Sequence, residues 1–381
     1  MAGKVRTFLQ YASSQIDADI LYGSGFSAYD PFLYLEHAGR SYIVITDFEC
    51  DRARAESSAD VVWPITFLAE QDVKKRRART PDTSPTGLAA AALRIVKAKQ
   101  VEVPAQFPIG MARGLQKQGF RVLVRECAAY PQRLLKKERE IRAIIKVQRV
   151  VEKAMAAAVA MLRRSRIKKN RLFLDGKILY AEDIRRVIQL ILAESSCVAA
   201  QTIVAPGDQA VEPHNQGKGP IQPHQPVVID IYPRSSISHY HADMTRTVVK
   251  GRVSSAIQKQ YQAVLKAQKV ALSMIRPGMA VRKVHQEVQK TFERYGFYTG
   301  QRDGCFQGFT HSTGHGVGLE IHEAPKIGLV PSTVRFRKGM VVTVEPGLYY
   351  FSTGGIRIED LVVVTDRGVR NLTRYSKRLS V

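Results

Sequence analysis

Residues 226–231 read PVVIDI and residues 340–345 read MVVTVE: two short, β-branched, apolar runs that each hold one acid, Asp230 and Glu345. Runs of this length and composition predict buried strands. An acid inside such a strand is costly unless something positive compensates it. Each run has a return partner, 238–249 and 356–365, carrying a further acid, Asp243 and Glu359, and the second hairpin closes around Ser352-Thr353-Gly354-Gly355. The spacing repeats: Glu345 follows Asp230 by 115 residues, and Glu359 follows Asp243 by 116.

Two helical stretches precede each hairpin. The first pair covers 136–164, with Ile141, Ile144, Val151, Met155 and Leu162 along one face, and 182–194. The second covers 255–275, stopped by Pro277-Gly278, and a helix with Val281, Val284, Val288 and Phe292 inward, stopped by Gly296. Two helix–helix–hairpin units predict an α+β domain of pseudo-twofold symmetry whose four carboxylates face one another. A salt bridge would explain one such acid. Four at matched spacing, with few cations in the same strands, point to divalent metal ions.

The nitrogen ligand is expected from GFTHSTGHGVGLEIHEAP, 308–325, where three histidines and four glycines crowd one segment. His315, at its centre, is the best single ligand, leaving His311 and His322 as donors or proton carriers for a substrate. His239, His241 and His285 read as core or surface residues. Four carboxylates and one imidazole suit Mn, Co, Fe or Zn better than a thiolate-seeking metal. Two such ions ~3.5–4 Å apart can hold a water between them and polarise a carbonyl, which is hydrolysis without a protein nucleophile.

Farther out, residues 1–134 read as a separate N-terminal α/β domain and 135–381 as the catalytic domain. The α/β pattern is legible from residue 18 to 126, with a hairpin (32–36, 41–46), strands at 101–103 and 120–124, and a helix capped by Ser84-Pro85 running to about Lys99. The composition, 45% hydrophobic and 24% charged, is that of a globular enzyme. The longest apolar run of note, 154–162, falls short of the ~20 residues that cross a bilayer. The start, MAGKVRTFLQYASSQ, lacks a secretory core, so cytoplasm is the expected location. Cys50, Cys127, Cys197 and Cys305 are too scattered for a thiolate metal site and read as reduced structural thiols. The net charge of +24 attracts polyanions in general. Its densest runs, KKRRAR (74–79) and RRSRIKKNR (163–171), have no interleaved aromatics, so a solvated surface is the first reading and nucleic acid the second.

Six motifs together carry a resemblance: PHNQGKGPI around His214, VVIDI at Asp230, HADMTRT at Asp243, HSTGHGVGLEIHEAP at His315, VTVEPGLYY at Glu345 and GIRIEDLVVVT at Glu359. The chain resembles the metal-dependent peptidases of the methionine aminopeptidase, aminopeptidase P and prolidase superfamily, with the pita-bread (creatinase/aminopeptidase) fold. The resemblance implies that Asp230 binds one metal, that Asp243 and Glu359 bridge two, and that His315 and Glu345 bind the other. It implies that His214 and His322 bind substrate and stabilise the transition state, that His311 lines the pocket, and that Glu345 manages the reaction's proton. Arg357 resembles an arginine that supports the site; an ion pair to Asp243 or Glu359 is its plain structural reading. GIRIED and the extra N-terminal domain look like aminopeptidase P and prolidase. The expected function is therefore an Xaa-Pro aminopeptidase, with Xaa-Pro dipeptidase as the alternative and a basic nucleic-acid- or protein-binding scaffold as the alternative of another class. Manganese is the first expected metal, with Co, Zn and Fe behind it. Peptides with proline second are the expected substrates, and a homodimer is implied. The chain departs from the family pattern after Asp230, where Ile-Tyr-Pro-Arg replaces a small Gly-containing turn, and at Ser312 and Glu212.

Overall fold

The computed structural model describes residues 6–77, 79–126, 128–302 and 304–381. The chain divides into two units, one ending at Arg133 and one beginning at Leu134.

The first unit is built on a six-stranded sheet in the order Val61–Pro64, Arg40–Ile45, Phe32–His37, Thr7–Ala12, Gln100–Pro104, Arg121–Arg125. Alternation along its strands fills two cores. Leu33 and Leu35 pack with Leu68, Leu88 and Leu93, while Phe32 and Tyr34 pack with Ile20 and Phe26. The α/β pattern thus begins at Thr7 and not at residue 18. TFLQYA lies inside the sheet with Phe8 in one core and Leu9 in the other, so it lacks the polar alternation that marks a strand in sequence. The Ser84 cap forms as expected, its hydroxyl accepting from Gly87 N at 3.1 Å. The helix it opens ends at Ile95, short of Lys99, because Lys97 turns at φ 58° and the next strand starts at Gln100. Lys74, Lys75 and Arg76 form the last turn of the helix Ile65–Arg76, where cations complement the helix dipole, and Arg76 and Arg94 both pair with buried Asp72. Cys50 is buried in this unit, and Cys127 lies outside the described residues.

The second unit contains the two helix–helix–sheet halves. Helices Glu138–Arg164 and Ala181–Glu194 share a core with the sheet Thr202–Pro206, Pro226–Ile231, Met244–Val249. Helices Ser255–Met274 and Val281–Arg294 share another with strands Gly314–Gly316, Val341–Val344 and Asp360–Val364. All the helix-face residues named from periodicity are buried. The basic run 163–171 is spent on a helix end and a hairpin whose turn, Lys169-Asn170, has φ 47° and 55°. Among the described residues no helix is long and apolar enough to cross a membrane.

Two strand expectations need correction. The return strand begins at Met244 and not at Ser238, so Asp243 stands just outside it, and 232–243 is mostly irregular. The expected strand 356–365 is two strands, Gly354–Arg357 and Asp360–Val364. The first pairs with Gly347–Tyr350 and the second with Val341–Val344. The register is the same on both sides of the break, Val344 opposite Asp360 and Gly347 opposite Arg357, so Glu345 stands across from Glu359 within it. Pro346 has no N–H to offer the ladder there. The two acids instead turn their own amides to other strips of chain, Glu345 N to Thr313 O at 2.8 Å and Glu359 N to Thr245 O at 3.1 Å.

Arg246 locks the two halves together. It is 2% exposed and donates to Asp360 Oδ1, Tyr375 O and Ser376 O at 2.9 Å each, and to the Glu359 carbonyl. Replacing Arg246 by Met strands these acceptors and half-bares Asp360, which keeps Lys377. The expected loss is about 3 kcal/mol of unfolding free energy, measured by urea denaturation. A loss below ~1 kcal/mol would show the contacts to be incidental.

Candidate metal centre

Asp230, Asp243, His315, Glu345 and Glu359 come together in the second unit. One ligand atom each of Asp243, His315 and Glu359 lies within 4.8 Å of the others, and all three residues are buried. His315 Nε2 is 3.7 Å from Asp243 Oδ2 and 3.4 Å from Glu345 Oε1. Asp230 is close enough for its charge to raise the proton affinities of Asp243, Glu345 and Glu359.

Strand register builds this arrangement. Asp230 is paired with Thr245, whose hydroxyl donates to Glu359 Oε2 at 2.8 Å. The strand Gly314–Gly316 runs hard against its neighbour: a Cβ on Gly314 would stand 2.1 Å from Thr343 O, so only glycine lets the His315 backbone approach. His315 Nδ1 faces its neighbour's carbonyl, Gly316 O, at 3.1 Å, which assigns the proton to Nδ1 and aims the Nε2 lone pair at the carboxylates. Burial holds this imidazole neutral, with its pKa lowered to about 4.

The carboxylates have too few partners for their burial. Asp230 Oδ1, Asp243 Oδ1 and Glu359 Oε1 are buried without any hydrogen bond. Burial pushes Glu345 up to about 8. It also raises Asp243 and Glu359 well above the usual carboxylate range, with the neighbouring acids adding to the effect. Three orphaned carboxylate oxygens beside a neutral imidazole lone pair are a donor set that fits divalent cations.

Arg357, 4% exposed, sits behind this set. It donates to Asp230 Oδ2 at 2.8 Å, Tyr349 Oη at 2.9 Å and Thr245 Oγ1 at 3.1 Å. Its carboxylate partner is Asp230, and not Asp243 or Glu359 as the plain reading has it. Tyr349 Oη lies 2.7 Å from His311 Nε2, and His311 Nδ1 lies 2.7 Å from Ser312 O. Both nitrogens of His311 are therefore engaged, and burial lowers its pKa to about 3, which makes it a neutral link in a chain from Arg357. His322 is different: it is exposed, with its ring 4.4 Å from that of His315. His214 is exposed too, and close enough for its charge to lower the proton affinities of both His311 and His322.

Sequence reading missed four residues around this centre. Thr245 and Tyr349 are described above. Tyr232, in the departure after Asp230, has its phenol pushed up to about 12 by burial and then by the charges of Asp230 and Asp243. His285, read as a core or surface histidine, is buried and meets Thr313 Oγ1 at 2.9 Å, bracing the strip of backbone that receives Glu345 N. Threonine at the second position after Asp243 was the one signal in plain view.

Residues 142–366, more than half of the chain, match the metallopeptidase family M24. The chain belongs to that family. Its fold is the pita-bread fold, and an α/β unit precedes it in sequence. An Xaa-Pro dipeptidase of Pyrococcus furiosus is 34% identical over 248 residues, which is 65% of this chain and 65% of that relative. Among solved structures, the prolidase from Pyrococcus furiosus superposes with a TM-score of 0.76 at 24% identity, covering 98% of this chain and 97% of its own. The X-Pro aminopeptidase from Thermotoga maritima MSB8 superposes with a TM-score of 0.81 at 22% identity, covering 99% and 98%. Family membership implies divalent metal ions, and the donor set described above fits them.

The buried acids give the metal-free M24 chain a pH signature. Glu345 binds its proton more tightly folded, with a pKa of about 8 against 4.5. The stability it contributes is complete below pH 4.5 and is lost as the pH rises through 8. The thermal midpoint of chelator-treated protein should fall between pH 6 and 8, by roughly 2–4 °C per kcal/mol lost, and added divalent metal should remove the fall. A metal-free midpoint that stays level or rises over that range would contradict the assignment.

Proposed function

We propose that this chain is a metal-dependent peptidase that hydrolyses the bond between a first residue and a proline in second position, and that it acts as an Xaa-Pro dipeptidase. The observation that carries the reading is the set of three orphaned, buried carboxylate oxygens beside His315 Nε2. Family membership supports peptide-bond hydrolysis. The names of two Pyrococcus relatives, both Xaa-Pro dipeptidases, support the substrate and move the dipeptidase reading ahead of the aminopeptidase one expected from sequence.

In this reading Asp230, Asp243, His315, Glu345 and Glu359 would hold two divalent ions, manganese first among them. Bound there, such ions would supply Lewis acidity toward the scissile carbonyl and the attacking water. The protein's own groups do the rest. Glu345 takes a proton from the water and hands it to the departing proline nitrogen. His322, whose ring is exposed beside His315, donates to the carbonyl oxygen as negative charge develops on it. His214 approaches the substrate from the same side. Arg357 holds Asp230 in place, and through Tyr349 it holds His311 as a neutral wall of the pocket.

Protein loaded in turn with Mn, Co and Zn is expected to cleave an Xaa-Pro dipeptide faster than an Xaa-Pro-Xaa tripeptide, and to cleave neither after chelation. A preference for the tripeptide returns the aminopeptidase reading. Replacing Asp243 by Ala should cut bound metal to at most one ion per chain, measured by calorimetric titration, and reduce turnover to background. Turnover that survives would show the site to be misassigned.

A further inference from the structure

We infer that Lys136 is a positioning residue: its buried ion pair with Glu323 sets where His322 stands beside the metal centre. Lys136 Nζ lies 2.7 Å from Glu323 Oε2, with the two side chains 2% and 6% exposed. Lysine is almost never buried to this degree. A buried pair of this kind is weak evidence for stability, since apolar replacements of similar volume often do as well. Its presence next to a histidine of the site therefore asks for another role.

The pair acts on the backbone that carries His322. Glu323 is the next residue, and its second oxygen, Oε1, accepts from Glu320 N at 3.2 Å, so one carboxylate closes the turn 320–323 and is itself gripped by Lys136. The carboxylate lies over Gly318 so closely that a Cβ there would stand 2.5 Å from Oε2. Gly318 O in turn receives His241 N at 2.8 Å. Among the described residues the His322 ring makes no hydrogen bond of its own, so it takes its position from this backbone.

Lys136 is itself fixed, its amide donating to Gly339 O at 2.8 Å. Four and twelve residues on, Glu140 accepts from Tyr240 Oη at 2.5 Å and Gln148 Oε1 from Asp243 N at 3.3 Å. Lys136 and the first half of the helix Glu138–Arg164 thus hold two strips of chain, one bearing His322 and one running from Tyr240 to Asp243.

The inference rests on the proposed role of His322 toward substrate, and its test separates the two. A Lys136→Met, Glu323→Gln double variant removes both charges and leaves neither buried alone. It should fold, bind metal as the parent does, and lose about tenfold in kcat/KM on an Xaa-Pro dipeptide. His322→Ala should be costly in the parent and nearly silent in the double variant, as for groups that act as one. An equal loss in both backgrounds overturns the inference, and so does unfolding of the double variant at the assay temperature, which would make the pair a structural one. Histidine-selective 15N NMR gives a readout without turnover: the His322 ring resonance should shift or broaden in the double variant while that of His285 stays. If the parent cleaves no Xaa-Pro peptide, the functional reading fails and this resonance still decides on Lys136. An unmoved His322 signal would overturn its role.

Discussion

Four carboxylates share one buried cluster of the second unit, and the hydrogen bonds they receive leave three of their oxygens uncompensated. Like charges at this separation in a medium of low polarity raise one another's proton affinity and oppose folding. Among the described residues one guanidinium, that of Arg357, reaches the cluster, and its carboxylate partner is Asp230. Asp230 Oδ1, Asp243 Oδ1 and Glu359 Oε1 stay without donors. A divalent cation is the group that turns this repulsion into attraction, and it needs the neutral imidazole that burial makes of His315.

The fold delivers these acids by interrupting its own hairpins. In the second half the ladder opens for two residues on each strand, and the openings hold Glu345 and Glu359 face to face. The amides freed by the break are taken up by Thr313 and by Thr245, the latter on a strand of the opposite half. Thr245 also carries the hydroxyl that orients Glu359, while the neighbouring Arg246 clasps the carbonyl of Glu359 and the side chain of Asp360. The first half thus supplies hydrogen bonds that the interruption in the second half requires. The pseudo-twofold arrangement places the acids and also shares out the polar groups that let them stay buried.

Much of this was legible in the sequence because it is periodic. The helix faces from Ile141 to Phe292 and the apolar strands around Asp230 and Glu345 follow from spacing alone, and the paired offsets of the acids declare the duplication. What stayed hidden depends on register between distant strips of chain. Thr245 matters because it lies opposite Asp230 and beside Glu359, more than 100 residues away. Tyr349 matters because the hairpin folds it back under Arg357. Lys136 looks like one more cation in a basic sequence until its burial against Glu323 is seen. The strand Thr7–Ala12 was invisible for the opposite reason, since a segment packed in two cores shows no alternation. Where a strand breaks for a functional reason, as at Ile358-Glu359, the unbroken hydrophobic pattern conceals the break.

The central claim is that the five clustered side chains are a two-ion site. Its most direct test is a crystal structure of the manganese-loaded protein, with anomalous scattering measured above and below the manganese edge. The account predicts two anomalous peaks ~3.5–4 Å apart, enclosed by Asp230, Asp243, His315, Glu345 and Glu359. An empty cleft with its carboxylates rotated onto protein donors, or manganese bound elsewhere, would contradict it.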